Sequence, residues 1–97
     1  MECEKVAFSG HAVRRMFERA IAETDVSEVI SSGEEVIGEY PSDTPYPSYL
    51  LLGFPGGKPL HDLIGMDDEA GSCYVVTTYN PSLAFWNDDY RTRRESS

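Results

Sequence analysis

The hydrophobic period of this 97-residue chain changes once, at Gly33, and that change most narrows what it can fold into. Before Gly33, Val13, Met16, Phe17, Ala20 and Ile21 recur at three- and four-residue steps, which predicts an amphipathic helix over residues 11–22. Ser9 stands where an N-cap belongs. "ETDVSEVISSG" reads as a shorter second helix. Thr24 or Asp25 can cap it, Val26, Val29 and Ile30 form its stripe, and Gly33 can end it. After Gly33 the period is 2. "EEVIGEY", "SYLLLGF", "LHDLIGM" and "CYVVTTY" read as strands, divided by the turn segments "SDTPYP", "PGGKP" and "DDEAGS". "EKVAFS" is a short extended segment ahead of the first helix. "SLAFWNDDYRTRRESS" is expected to add a helical turn or two before a frayed tail. Two N-terminal helices followed by an antiparallel meander of about four strands make an α+β fold.

The length suits one domain, with a core over about residues 5–90 and a tail over 91–97. No apolar run approaches the roughly 20 residues of a membrane span, so no membrane association is expected. The opening Met-Glu-Cys-Glu lacks the apolar segment of a secretory signal, and a cytoplasmic protein is the expectation. Cys3 and Cys73 have no CxxC spacing. In a reducing compartment they are expected as free thiols, a single disulfide between them being the alternative.

Seventeen acids against eight Lys and Arg leave a net charge of −9, which repels nucleic acid unless the positive charge is segregated. It is segregated. Arg14, Arg15 and Arg19 form one group and Arg91, Arg93 and Arg94 another, with Lys5 and Lys58 outside both. His11, Arg15 and Arg19 succeed one another at i, i+4 and so share one side of the first helix. Arg14 can pair with Glu18 on the other flank. Two readings of the stripe stay open. It is a solvated edge neutralised by nearby acids, or an anion site in which Arg15 and Arg19 hold a phosphate and His11 moves a proton.

His61 alternates with Leu60 and Asp62, so it points to the opposite sheet face from both. Both His61 and Tyr79 can be structural. Together with the histidine and arginines of the first helix, they would suit metal-free RNA cleavage, in which a base activates the 2′-hydroxyl and cations stabilise the phosphorane. "GFPGG" lacks a nucleotide-binding pattern, "DDEAG" lacks the full calcium loop, and neither HExxH nor GxSxG occurs. No cofactor and no metal are expected.

"FSGHAVRRMFERAI", "PYPSYLLLGF", "PLH", "TTYNP" and "WNDDYRTRR" occur in order across about residues 8–94. This resembles a bacterial family filed as a domain of unknown function, whose members read "H-A-x-x-R-x-x-x-R-x-I", "P-Y-P-S-x-L-L-L-G", "P-L-H", "T-x-Y-x-P" and "W-x-x-D-x-x-x-R". That family is similar to the RelE/ParE and BrnT-type toxins of toxin–antitoxin pairs. The resemblance implies helices on a curved antiparallel sheet and endonucleolytic cleavage of messenger RNA. It also implies a zinc-finger, helix-turn-helix antitoxin of the YgiT type as partner, and leaves a homodimer open. By that analogy His61 or His11 transfers the proton, with Tyr79 at the same site. Arg15 and Arg19 bind phosphate, and Arg91, Arg93 and Arg94 contact RNA or antitoxin. The chain departs from the family pattern at Ala20, where glycine is usual, at Asp62 and Gly65, which interrupt an apolar strand, and in its acidity.

Two functions follow. The first is a toxin-like ribonuclease whose acidic surface docks a basic antitoxin. The second is a non-catalytic binding module of the same fold, using Phe85, Trp86 and the arginine tail.

Overall fold

Ser9 separates the first extended segment from the first helix. Its backbone is extended, its hydroxyl oxygen accepts from the Ala12 N–H at 3.0 Å, and its O–H donates to the Val76 carbonyl at 3.0 Å. One side chain therefore caps the helix and ties it to the sheet. The computed structural model describes residues 3–32 and 35–95. In chain order it contains β1 (Lys5–Phe8), α1 (Gly10–Arg19), α2 (Glu23–Ser31), β2 (Glu35–Tyr40), β3 (Ser48–Gly53), β4 (Leu60–Asp67) and β5 (Ser72–Tyr79). The strands form one sheet in the order β1-β5-β4-β3-β2.

The α+β class stands, with corrections. The sheet has five strands and is mixed, because β1 joins it parallel to β5, with Val6 opposite Cys73. Cys3 and Cys73 form a disulfide there, so the expectation of free thiols was wrong. A period-2 pattern marks a strand but not its direction, and the crossover through α1 and α2 sets β1 parallel. The C-terminal segment is not helical. Trp86 bridges Arg93 in antiparallel fashion, and the Arg94 N–H donates to the Phe85 carbonyl at 2.9 Å. Bridge and hydrogen-bond partners therefore continue as far as Arg94. α2 starts from Ala22 with no side-chain cap, not from Thr24 or Asp25. Its expected stop, Gly33, lies outside the described residues.

Both helices cover one sheet face. Ala12, Met16, Val26, Val29 and Ile30 meet Leu51, Leu60, Ile64, Cys73 and Val75 in the core. α2 seats closely: a Cβ on Gly53 would lie 2.7 Å from a methyl of Val29. α1 lies over β5, and only its Ala12–Met16 row is buried. Val13 is exposed and Phe17 is 89% exposed, so the apolar stripe expected on α1 is only partly inward. α1 ends at Arg19 rather than residue 22, because Ala20 turns left-handed at φ 53°.

Candidate functional site

His61 on β4 and Tyr79 on β5 are register partners. Leu60 and Ile64 lie in the helix-side core, so strand alternation turns His61 to the other face, as the sequence predicts. That face is covered by the C-terminal segment. Trp86 meets the His61 ring edge-on at 4.5 Å between centroids, and His61 is fully buried. The Nε2 of His61 lies 2.7 Å from the Tyr90 carbonyl, which can only accept, so Nε2 carries a hydrogen. Nδ1 lies 3.1 Å from the Tyr79 hydroxyl. Burial lowers the His61 pKa from its usual range, partly opposed by the Tyr90 carbonyl. The ring is then neutral at pH 7, and its Nδ1 lone pair accepts from Tyr79 Oη–H.

The hairpin that supplies the Tyr90 carbonyl is set locally. Tyr90 is left-handed at φ 58°. The Asp89 carboxylate accepts from the backbone N–H groups of Arg91 and Thr92 and from the Thr92 hydroxyl. The Arg91 bond above all holds the Asp89 carboxyl below its usual pKa.

Tyr79 forms a wall of an open groove of about 640 Å³ that Arg19, Arg93, Asn80, Phe85 and Trp86 also line. Arg19, at the C-terminal end of α1, donates to the Thr78 carbonyl at 2.8 Å, which anchors its guanidinium at the rim. The Arg93 guanidinium lies 5.4 Å from the Trp86 ring centre, a cation–π contact. Burial first, then Tyr40, raise the Tyr79 pKa; Arg93 and Arg19 oppose them. The phenol is therefore protonated at neutral pH. Because its proton points to His61, its oxygen can take a proton from a ligand while passing its own to Nδ1.

The structure brings together His61, Tyr79, Arg19 and Arg93 from the predicted residues. His11 is exposed in the first turn of α1, about 12 Å along the axis from Arg19. Arg15 pairs with Glu18 at 2.8 Å, where Arg14 was expected to. Arg91 pairs with Glu35. Arg94 sits 3.6 Å from Asp88 and also donates to the Leu83 carbonyl. The basic stripe of α1 is thus divided: one arginine is neutralised and one faces the groove. Sequence reasoning missed Asn80 as a groove residue. It also missed that the "W-x-x-D-x-x-x-R" spacing puts Trp86, Asp89 and Arg93 on one hairpin.

Behind the site, Asp62 is fully buried on the helix side of β4, between Leu60 and Ile64. Burial pushes its pKa up to about 7, partly opposed by its hydrogen bond with Thr78.

The family model described as Domain of unknown function (DUF4258) matches residues 8–80. The match takes in Arg19, His61 and Tyr79 and stops short of Trp86 and Arg93. No curated protein and no solved structure matches the chain.

Proposed function

We propose, for a chain that belongs to the DUF4258 family, that it is a metal-independent endoribonuclease acting on messenger RNA. It would serve as the toxin-like component of a bacterial toxin–antitoxin pair and work in the cytoplasm. One observation carries the reading. A neutral His61, with Nε2 committed to a carbonyl, accepts from Tyr79 at the wall of a groove that also holds Arg19 and Arg93.

In the proposed reaction the RNA 2′-hydroxyl gives its proton to Tyr79 Oη as the phenolic proton moves to His61 Nδ1. The 2′-oxygen bonds to phosphorus, the P–O5′ bond breaks, the leaving 5′-oxygen takes a proton from water, and the hydroxide so formed takes the proton back from His61 through Tyr79. The products are a 2′,3′-cyclic phosphate and a 5′-hydroxyl. Arg19 and Arg93 offset the charge that develops on the phosphorane. Phe85 offers a face on which a base can stack. By the resemblance drawn from the sequence motifs, the partner would be a basic zinc-finger, helix-turn-helix antitoxin. The net charge of −9 gives such a partner an attractive surface.

The test is cleavage of end-labelled RNA by purified protein in chelator, with the new ends analysed. Tyr79→Phe should lower the rate about 10²–10⁴-fold, the usual scale of general acid–base catalysis, while the fold is kept. Intact RNA with folded wild-type protein, or full activity in Tyr79→Phe, would overturn the reading. Phe85, 62% exposed beside Trp86 and Arg93, favours the second reading, a non-catalytic binding module. Tight RNA or protein binding without cleavage would select it.

A further inference from the structure

The eight Lys and Arg of this acidic chain are unequally committed. Arg15, Arg91 and Arg94 have carboxylate partners. Lys5, Arg14, Arg19, Lys58 and Arg93 have no ion pair among the described residues, and the last three line one region. Arg19 and Asn80 line the groove beside Tyr79, and the same two residues line a second cavity of about 320 Å³. That second cavity lies between the turn after α1 and the loop following β3, and Lys58 and Asp25 line it. Arg19 is therefore a shared wall, with Arg93 on one side and Lys58 on the other.

The local structure explains the placement. Ala20 turns the chain left-handed directly after Arg19, which ends α1 at the boundary between the cavities. Asn80 donates to the Pro59 carbonyl at 3.0 Å, joining the end of β5 to the residue after Lys58. Pro55 and the left-handed Gly56 and Gly57 form the short turn that leads into Lys58. Lys58 and Asp25 line the same cavity but form no ion pair within 4.0 Å.

We infer that the cavity holding Lys58 is a second phosphate subsite, so that the groove takes a single-stranded oligonucleotide carrying at least two phosphates. This rests on the reading of the Arg19–Arg93 groove as a phosphate site. Arg93 and Arg19 hold one phosphate beside Tyr79; Arg19 and Lys58 hold its neighbour. Asp25 opposes the second phosphate and keeps that subsite weak.

The experiment uses uridine oligonucleotides with 2′-O-methyl groups, which cannot be cleaved, so binding is read apart from catalysis. A 5′-phosphorylated mononucleotide is compared with the 5′-phosphorylated dinucleotide on wild type, Lys58→Gln, Arg93→Gln and Asp25→Asn. The dinucleotide should bind wild type about tenfold more tightly, a gain of about 1.4 kcal/mol. Lys58→Gln should erase that advantage, leave the mononucleotide unaffected, and reduce the salt slope by about 0.7. Asp25→Asn should strengthen dinucleotide binding several-fold, a gain that damage to the fold would not produce.

If Lys58→Gln binds both ligands as wild type does, while Arg93→Gln weakens both, the second subsite is overturned and the first remains. If neither ligand binds wild type at millimolar concentration, both readings fall. If the Lys58 effect appears but RNA is never cleaved, the subsite stands and the catalytic reading alone fails.

Discussion

Thr78 Oγ1 lies 2.9 Å from Asp62 Oδ1 and 3.0 Å from the His61 carbonyl, and it has one proton for the two acceptors. A protonated Asp62 resolves this. When protonated, its own O–H donates to Thr78 Oγ1 and Thr78 donates onward to the His61 carbonyl; when ionised, it accepts from Thr78, the bond that partly holds its pKa down. Asp62 Oδ2 has no partner among the described residues, which is a smaller cost for a neutral acid than for a carboxylate. Asp62 therefore links the helix-side core to the backbone of the strand that carries His61.

Asp62 should make the protein less stable as pH rises from about 4 to about 7, against an opposing gain from His61, whose lowered pKa favours the fold as pH rises toward 6.5. In that window unfolded Asp62 has lost its proton while the folded residue, raised from 3.8 to about 7, retains it. At Asp62 the folded state binds more protons, so the slope of its contribution is negative. The ceiling on this effect is about 4 kcal/mol. Urea unfolding at pH 5 and pH 8 measures it. Asp62→Asn should gain stability relative to wild type between pH 5 and pH 8 and be the more stable form at pH 8; a difference between the two proteins that is the same at both values would contradict this.

Rate against pH should bend on the acidic side below 6.5 and stay level through neutrality. Burial lowers the His61 pKa from 6.5, so its proton-accepting form persists into mildly acidic solution, and Tyr79 is raised from 10.0. An acidic limb centred above 6.5 would show that another group accepts the proton.

Breaking the Cys3–Cys73 disulfide should destabilise the protein by about 4 kcal/mol, from the chain entropy of closing so long a loop. The two cysteines are 70 residues apart in sequence. Cys3→Ser, or wild type in reductant, should melt on the order of 20 °C lower at this chain size. Equal melting points with and without reductant would remove the disulfide from the stability of the fold.

Ala20→Gly should stabilise the protein by about 0.5–1 kcal/mol. Ala20 holds φ 53°, a left-handed conformation that strains a Cβ and that glycine adopts freely. Glycine loses more backbone entropy on folding, which trims the gain. Chemical denaturation measures it, and a destabilised variant would show that the Ala20 methyl contributes packing that outweighs the strain.

Much of the fold can be read from local pattern. The period change at Gly33 separates the two helices from β2 to β5, and those four strands fall where alternation places them. Ser9 caps α1 because one side chain and a nearby N–H suffice. Alternation also separates His61 from Asp62, since neighbours on a strand face opposite ways.

What local pattern cannot carry is partnership between distant segments. His11, Arg15 and Arg19 are equivalent on a helical wheel, yet Arg15 meets Glu18 and Arg19 meets Thr78, because only Arg19 reaches the end of β5. Phe17 belongs to the apolar stripe and is 89% exposed, since α1 lies over β5 on a single buried row. β1 pairs parallel, and Cys3 meets Cys73, through the crossover rather than through any spacing between them. The groove is likewise tertiary. The sequence by itself determined which residues could bind an anion or move a proton. The hairpin folding back over β4 and β5 decided which of them meet, because burial and contact depend on the path of the whole chain.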